Sequence, residues 1–291
     1  MKIEKNINLK NFHTLKTNVI AKYFTRVTTP EDIIKAIKFA REKNIPYLFL
    51  GGGSNIAFLS SKISFLVIKN EYQKFNVIEN NKEYLKVVVS SGYLTHQFVN
   101  KIINLEGEGV EYHYGLPGTV GGAIYMNSKW TKPLSFFGDN LQKAILIDKN
   151  LQLKTVNRQY FDFVYDYSIL QKTKEILIEA EFQFKKNDPQ ILRKRALFAF
   201  NYRKKTQPQG VFTAGCFFQN VNNLSAGYLI DKTGLKGEKI GDFIISSTHA
   251  NFIINQGNGQ PEDLKKLINL IKNEVRKKFK INLKEEVCLY E

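Results

Sequence analysis

Behind the opening Thr29-Pro30-Glu31-Asp32, apolar residues recur at helical spacing, at Ile33, Ile34, Ile37 and Ala40. A capping hydroxyl, a proline at the first helical position and acidic residues in the first turn predict a helix from there to about Asn44. The short apolar runs 47–50, 65–68 and 85–89 predict strands. Residues 94–105 return to helical spacing, while 144–147 and the near-alternating ILIEAEFQF at 176–184 predict the strands that close the first half. Pro189 opens a helix rich in Arg and Lys, which places a domain boundary near 186–190. Beyond it the pattern predicts a helix at 226–233, a strand at 250–254 and a last strand near 286–290. Between these lies a long helix from Pro261 to about Lys280, with an apolar stripe of Leu264, Leu267, Ile268, Ile271 and Val275. Helices and strands are mixed without strict alternation, which is an α+β pattern.

Two segments break the pattern with glycine. LGGGSN occupies 50–55 and GLPGTVGGAIYMN occupies 115–127, with four of the chain's 19 glycines falling between 115 and 122. Glycine adopts positive φ without strain and lets a bulky group approach the backbone. Successive N–H groups in such turns form a nest that binds phosphate oxygens. Neither segment has the G-x-G-x-x-G spacing of a Rossmann turn, and no G-x-x-x-x-G-K-[ST] loop is present. The residues alone therefore point to a ligand carrying a diphosphate, held by backbone amides on a non-Rossmann fold.

A length of 291 residues allows two domains with cores of their own. The net charge of +16 is spread among many Asn and Ile residues, with no basic arm, helix-turn-helix or zinc-finger pattern, so nucleic acid is not the expected partner. Cys216 and Cys288 make no disulfide framework, and His13, His96, His113 and His249 lack metal-ligand spacing, so no metal is expected. The charged opening MKIEKNINLK and the shortness of every apolar run predict a soluble cytoplasmic protein, with no membrane partner.

Taken in order along the chain, LGGGSN, GLPGTVGGAIYMN, RKKTQPQGVFTAGCFFQN at 203–220, SAGYLIDKTGLKG at 225–237, HANFIIN at 249–255 and EEV at 285–287 resemble the UDP-N-acetylenolpyruvoylglucosamine reductase family. The resemblance covers nearly the whole chain. It implies a vanillyl-alcohol-oxidase/PCMH-like FAD-binding domain at 1–187, followed by a smaller α+β substrate-binding domain at 188–291 whose final strand can pack back on the first. It implies noncovalent FAD, with Gly51, Gly52, Gly53, Ser54, Asn55, Gly115, Pro117, Gly118, Thr119, Val120, Gly121, Gly122 and Ala123 around the pyrophosphate. NADPH is the implied co-substrate, a UDP-sugar the substrate, peptidoglycan precursor synthesis the setting and a monomer the form. The family's proton-donating Ser, in a G-S-x-F-K-N stretch, corresponds to Cys216, and its C-terminal catalytic Glu to Glu286, with Glu285 as the register alternative. Tyr165, Arg203, Gln207 and Asn220 correspond to substrate-site positions, and His249 reads as a structural histidine.

The chain departs from the family in two places. Where the family shows Tyr-Arg-x-Ser, this chain has Tyr165-Asp166-Tyr167-Ser168, and the Lys of G-S-x-F-K-N is replaced by Gln219. An Asp supplies neither the charge nor the bidentate donors of an Arg. Either another cation, such as Arg158, Lys172 or Arg203, takes over, or the chain is a flavin-binding homologue with impaired turnover. A different flavin oxidoreductase of the same superfamily is a further reading, and a basic nucleic-acid-binding protein the non-enzyme one. The short gap between Ser168 and Pro189 implies the family's shorter type, without the extra substrate-capping loop.

Overall fold

The structure is a computed structural model that describes residues 1–222 and 224–291. Its chain divides into two compact units. The first comprises Met1–Lys2, Thr25–Gly52 and Ile68–Arg203, and the second Ile3–Phe24, Gly53–Val67 and Lys204–Glu291. A four-stranded sheet runs in the order Glu4–Asn8, Ile20–Val27, Lys62–Asn70, Tyr47–Leu50.

The first unit is built on an antiparallel sheet in the order Leu153–Asn157, Leu141–Ile147, Ile176–Lys186, Tyr84–Ser90, Phe75–Asn80. Strand Ile176–Lys186 is central because its alternation puts Ala180, Phe182 and Phe184, and a register shift between Leu177 and Glu179 puts Leu177, in a core with Leu85, Val87, Phe98, Ile102 and Phe137. Phe182 and Phe184 stack with ring centroids 5.7 Å apart. Helix Thr95–Asn104 packs Phe98, Val99 and Ile102 into the same core. Helix Pro30–Glu42 starts as its residues require: Thr29 is extended, at φ −138°, and its hydroxyl accepts the Asp32 N–H at 3.2 Å.

In the second unit, helix Pro261–Phe279 buries Leu264, Leu267, Ile268, Ile271 and Val275, each removal from water favouring the fold by about 1.5–3 kcal/mol. Its last turn carries Arg276, Lys277 and Lys278, where cations suit the helix dipole, and the left-handed Lys280 ends it. It packs in one core with Phe217, Phe218, Leu229, Phe243 and Val287. A four-stranded sheet runs in the order Phe212–Cys216, Phe252–Asn255, Phe243–Ile245, Lys239–Ile240, and Cys288–Tyr290 pairs in parallel with Ile56–Phe58.

Strand 65–68 is longer than the apolar run, at Lys62–Asn70, because its flanks alternate rather than stop. The strand expected at 250–254 begins at Phe252, since the Phe252 N–H turns back to the His249 carbonyl at 2.9 Å. The last strand begins at Cys288 rather than 286, because the Glu286 N–H is bonded to the Phe217 carbonyl instead.

Candidate active site

In the first unit the two glycine segments touch backbone to backbone. A Cβ on Gly52 would lie 2.4 Å from the Gly118 Cα, and one on Gly51 would lie 2.5 Å from the Thr119 hydroxyl oxygen. Gly118 itself has φ +103° and Gly115 φ +82°, a region that L side chains rarely adopt. Among the described residues, the amides of Gly51, Gly52, Gly118 and Thr119 meet no protein acceptor. Donors so placed, with no side chain between them, fit an anionic diphosphate such as that of FAD. Other members of the expected set are used by the fold. Val120 and Ala123 are buried in the core, and the amides of Val120, Gly121 and Ala123 donate to Tyr93, Ser91 and Thr119. Pro117 and Gly122 are exposed, and a Cβ on Gly122 would meet only the Thr119 hydroxyl, at 3.7 Å.

Gly53, Ser54 and Asn55 continue into the second unit, where Gly53 sits at φ +67° against the Phe12 carbonyl. The Asn55 side-chain amide donates to the Glu286 carbonyl at 3.1 Å, and the Asn55 carbonyl accepts the Cys288 N–H at 3.0 Å. Glu286 in turn donates its N–H to the Phe217 carbonyl at 2.8 Å. These bonds join the first glycine segment to the residue beside Cys216.

Cys216 ends strand Phe212–Cys216, where the register slips and Gly215 takes φ +83°. It is half-buried between a chain that turns freely and two phenylalanines that do not, Phe217 and Phe218 being buried in the core. Asn251 clamps Phe218 from the other side: its carbonyl oxygen atom Oδ1 accepts the Phe218 N–H at 3.0 Å and its Nδ2 donates to the Phe218 carbonyl at 2.8 Å. Asn251 was not singled out in the sequence, although it lies in HANFIIN beside His249. His249 Nδ1 accepts the Asn251 N–H at 3.3 Å, a structural bond. Of the two glutamates, Glu285 is paired with Lys272 at 2.7 Å, whereas Glu286 is half-buried beside the thiol's own segment. Asn220 is exposed and its Oδ1 accepts the Ala226 N–H at 3.0 Å, and Gln207 is half-buried. Gln207 precedes a cleft of about 610 Å³ lined by Phe212, Ser246, Thr248 and Asn255 among others.

Tyr165 and Asp166 lie in the first unit, at the tip of a tight turn closed by bonds between Val164 and Tyr167. Asp166 has φ +52°, a conformation that Asp tolerates better than most residues. Its side chain is buried, and its Oδ2 has no hydrogen-bond partner among the described residues. Burial pushes its carboxyl above the usual range, against a hydrogen bond from the Tyr165 side chain and the charge of Lys129. The cation acting on Asp166 is thus Lys129, which the sequence reading did not consider. The three it named are placed otherwise: Arg158 bonds the Gly138 carbonyl, Lys172 is exposed, and Arg203 lies 5.0 Å from the Trp130 ring centroid.

Among the described residues no cluster of His, Cys, Asp or Glu could hold a metal ion, and no helix is long and apolar enough to cross a membrane.

Residues 21–150 match the family model of an FAD binding domain, and residues 207–290 match that of the UDP-N-acetylenolpyruvoylglucosamine reductase C-terminal domain. A UDP-N-acetylenolpyruvoylglucosamine reductase of Protochlamydia amoebophila is 37% identical over 98% of this chain and 92% of its own length. One of Clostridium novyi is 31% identical over 98% of this chain and 91% of its own. The crystal structure of the reductase from Thermus caldophilus superposes with a TM-score of 0.84 at 27% identity, covering all of both chains. On these matches, which span nearly all of its length, the chain belongs to the UDP-N-acetylenolpyruvoylglucosamine reductase family.

Proposed function

We propose that this protein reduces UDP-N-acetylglucosamine enolpyruvate to UDP-N-acetylmuramate, with FAD as cofactor and NADPH as reductant, in peptidoglycan precursor synthesis. The observation that carries the reading is the bonded series Asn55, Glu286, Phe217, which holds the first glycine segment, the C-terminal glutamate and the Cys216 strand together. FAD, when bound, supplies the hydride chemistry that links the nicotinamide to the enolpyruvyl carbon.

The chain's own residues do the rest. The amides of Gly51, Gly52, Gly118 and Thr119 hold the diphosphate. Hydride addition to one alkene carbon leaves negative charge at its neighbour beside the carboxylate, and the Cys216 thiol gives that carbon its proton. A thiol, with a reference pKa of about 8.5, is a stronger acid than the hydroxyl it replaces, so it transfers a proton more readily. Glu286, fixed through its backbone, returns a proton to the thiolate and sets the local charge. Arg203, Tyr165, Gln207 and Asn220 shape the substrate site. In this reading residues 1–187 bind the flavin and 188–291 the substrate, in a cytoplasmic monomer of the family's shorter type that binds no nucleic acid.

The test is direct. The purified protein should show the absorption bands of bound flavin, and NADPH should be consumed beyond one equivalent per flavin only when the enolpyruvyl UDP-sugar is added. Flavin bands without substrate-dependent turnover would favour a second reading, a flavin-binding homologue impaired by the misplaced charge of the buried Asp166. A protein that binds no flavin overturns both.

A further inference from the structure

The family places an arginine where this chain has Asp166, and the substrate proposed above carries a carboxylate. A buried acid in that position would repel it unless a cation were held close by. At the Tyr165-Asp166 turn one such cation is held close.

Lys129 begins the short strand Lys129–Thr131 and carries its ammonium to 3.2 Å from the Tyr165 ring centroid. An ammonium over a phenol face is attracted by the ring quadrupole. The approach is not left to chance, because the turn is tied to the chain just before Lys129. Asn127, buried and in the left-handed region at φ +43°, donates through Nδ2 to the Val164 carbonyl at 3.2 Å. The Ser168 hydroxyl donates to the Tyr125 carbonyl at 2.8 Å, and Gln171 Nε2 bonds both that carbonyl, at 3.0 Å, and the Asp166 carbonyl, at 2.8 Å. Two elements far apart in sequence are thereby locked with Lys129 and Asp166 side by side.

Two other basic groups of the first unit have partners of their own. Lys132 bonds the Tyr202 hydroxyl at 3.1 Å, and Arg158 bonds the Gly138 carbonyl at 3.0 Å and faces Asp139 at 3.7 Å. Burial also disfavours the charged form of Asp166, which limits how far it cancels the neighbouring ammonium.

We propose that Lys129, held over Tyr165 and beside Asp166, is the cation that binds the substrate carboxylate in this protein, supplying from a neighbouring strand the positive charge that the family carries at the position of Asp166. Asp166 is then a positioning residue that orients Lys129. The inference rests on the reductase reading.

The holoenzyme of Lys129→Met tests it. KM for the enolpyruvyl UDP-sugar should rise about 30-fold, the usual worth of a charge-assisted contact, while NADPH reduces the flavin at the wild-type rate. Calorimetry should show that UDP-N-acetylglucosamine, which lacks the carboxylate, binds wild type and Lys129→Met equally. Lys129→Arg should recover most of the loss, and so should Lys129→Met combined with Asp166→Arg. If Lys129→Met fails to hold flavin, the comparison of Lys129→Arg with Lys129→Gln carries the same expectation. Wild-type turnover with KM unchanged in Lys129→Met overturns this inference alone. Equal weakening of both UDP-sugars overturns it too, by revealing a structural role, whereas absence of wild-type turnover overturns the reductase reading with it.

Discussion

Asn55 and Glu286 lie 231 positions apart in the sequence, yet the Asn55 side-chain amide donates to the Glu286 carbonyl at 3.1 Å. A residue of the glycine segment thus sets where the C-terminal glutamate lies, and Glu286 sets where Phe217 lies, one position from the thiol.

Replacing Asn55 by Ala removes a donor from a part-buried carbonyl. The expected cost is about 1–3 kcal/mol of stability, read as a lower midpoint in urea. The rate at which the enolpyruvyl substrate reoxidises the flavin should fall with it. Unchanged stability and reoxidation would show that Glu286 is held by other contacts.

The glycine segments separate two kinds of glycine. Gly52→Val puts a side chain where 2.4 Å separates the added Cβ from the Gly118 Cα, and backbone cannot yield as a flexible side chain can. It should purify as apoprotein. Gly122→Ala, whose Cβ meets only a hydroxyl at 3.7 Å, should keep its flavin. The ratio of absorbance at 450 to 280 nm, roughly normalised to one flavin per chain, checks both.

Cys216→Ala should divide the reaction. Reduction of the flavin by NADPH should stay near wild type, while reoxidation by the enolpyruvyl substrate slows by about 100-fold or more. Cys216→Ser should retain more activity than Ala, the hydroxyl being the family's usual donor. Undiminished reoxidation in Cys216→Ala, followed by stopped flow, would return Cys216 to a packing role.

Burial raises the Asp166 carboxyl, so between the ordinary carboxylate value and the folded one the native state holds a proton that the unfolded state has lost. Stability from this group is therefore present at low pH and lost as pH rises through the folded value. Asp166→Asn should be more stable than wild type at neutral pH, with the gain vanishing as the solution is acidified below the usual carboxylate range. Thermal melts across that range give the sign.

His113 behaves in the opposite sense. Enclosed in the core and near Arg203, it is lowered to about 3 and stays neutral in the fold, while the unfolded chain takes up a proton below about 6.5. Stability should fall as pH drops through that window, by about 2 kcal/mol at pH 5 from this residue alone. His113→Gln should flatten the slope between pH 6.5 and 4 whatever its effect on absolute stability; an unchanged slope would mean that the ring is protonated in the fold.

Elements that carry their own start and stop chemistry were readable in advance. Thr29 and Pro30 announced one helix, Pro261 and an unbroken stripe from Leu264 to Val275 another, and both lie where those residues put them. Strand Phe212–Cys216 was not, because Gly215 and the register slip after Thr213 interrupt the alternation that marks a strand. Of the candidate site, Cys216, Glu286 and the glycines were visible through the family's motifs, which are local. Lys129 was invisible for a complementary reason: nothing within its own segment distinguishes it from the chain's many other lysines. Only the bonds of Asn127, Ser168 and Gln171 bring it to Tyr165.

The second unit draws on residues 3–24, 53–67 and 204–291, and its strand Cys288–Tyr290 completes a pairing with Ile56–Phe58. During synthesis the early segments emerge from the ribosome long before their partners exist. Leu15 and Ala57, which pack in one core with residues between Ala214 and Val287, must wait in the nascent chain without those partners. The thiol site therefore assembles only after translation has passed Glu286, and chaperone demand should peak just before that point.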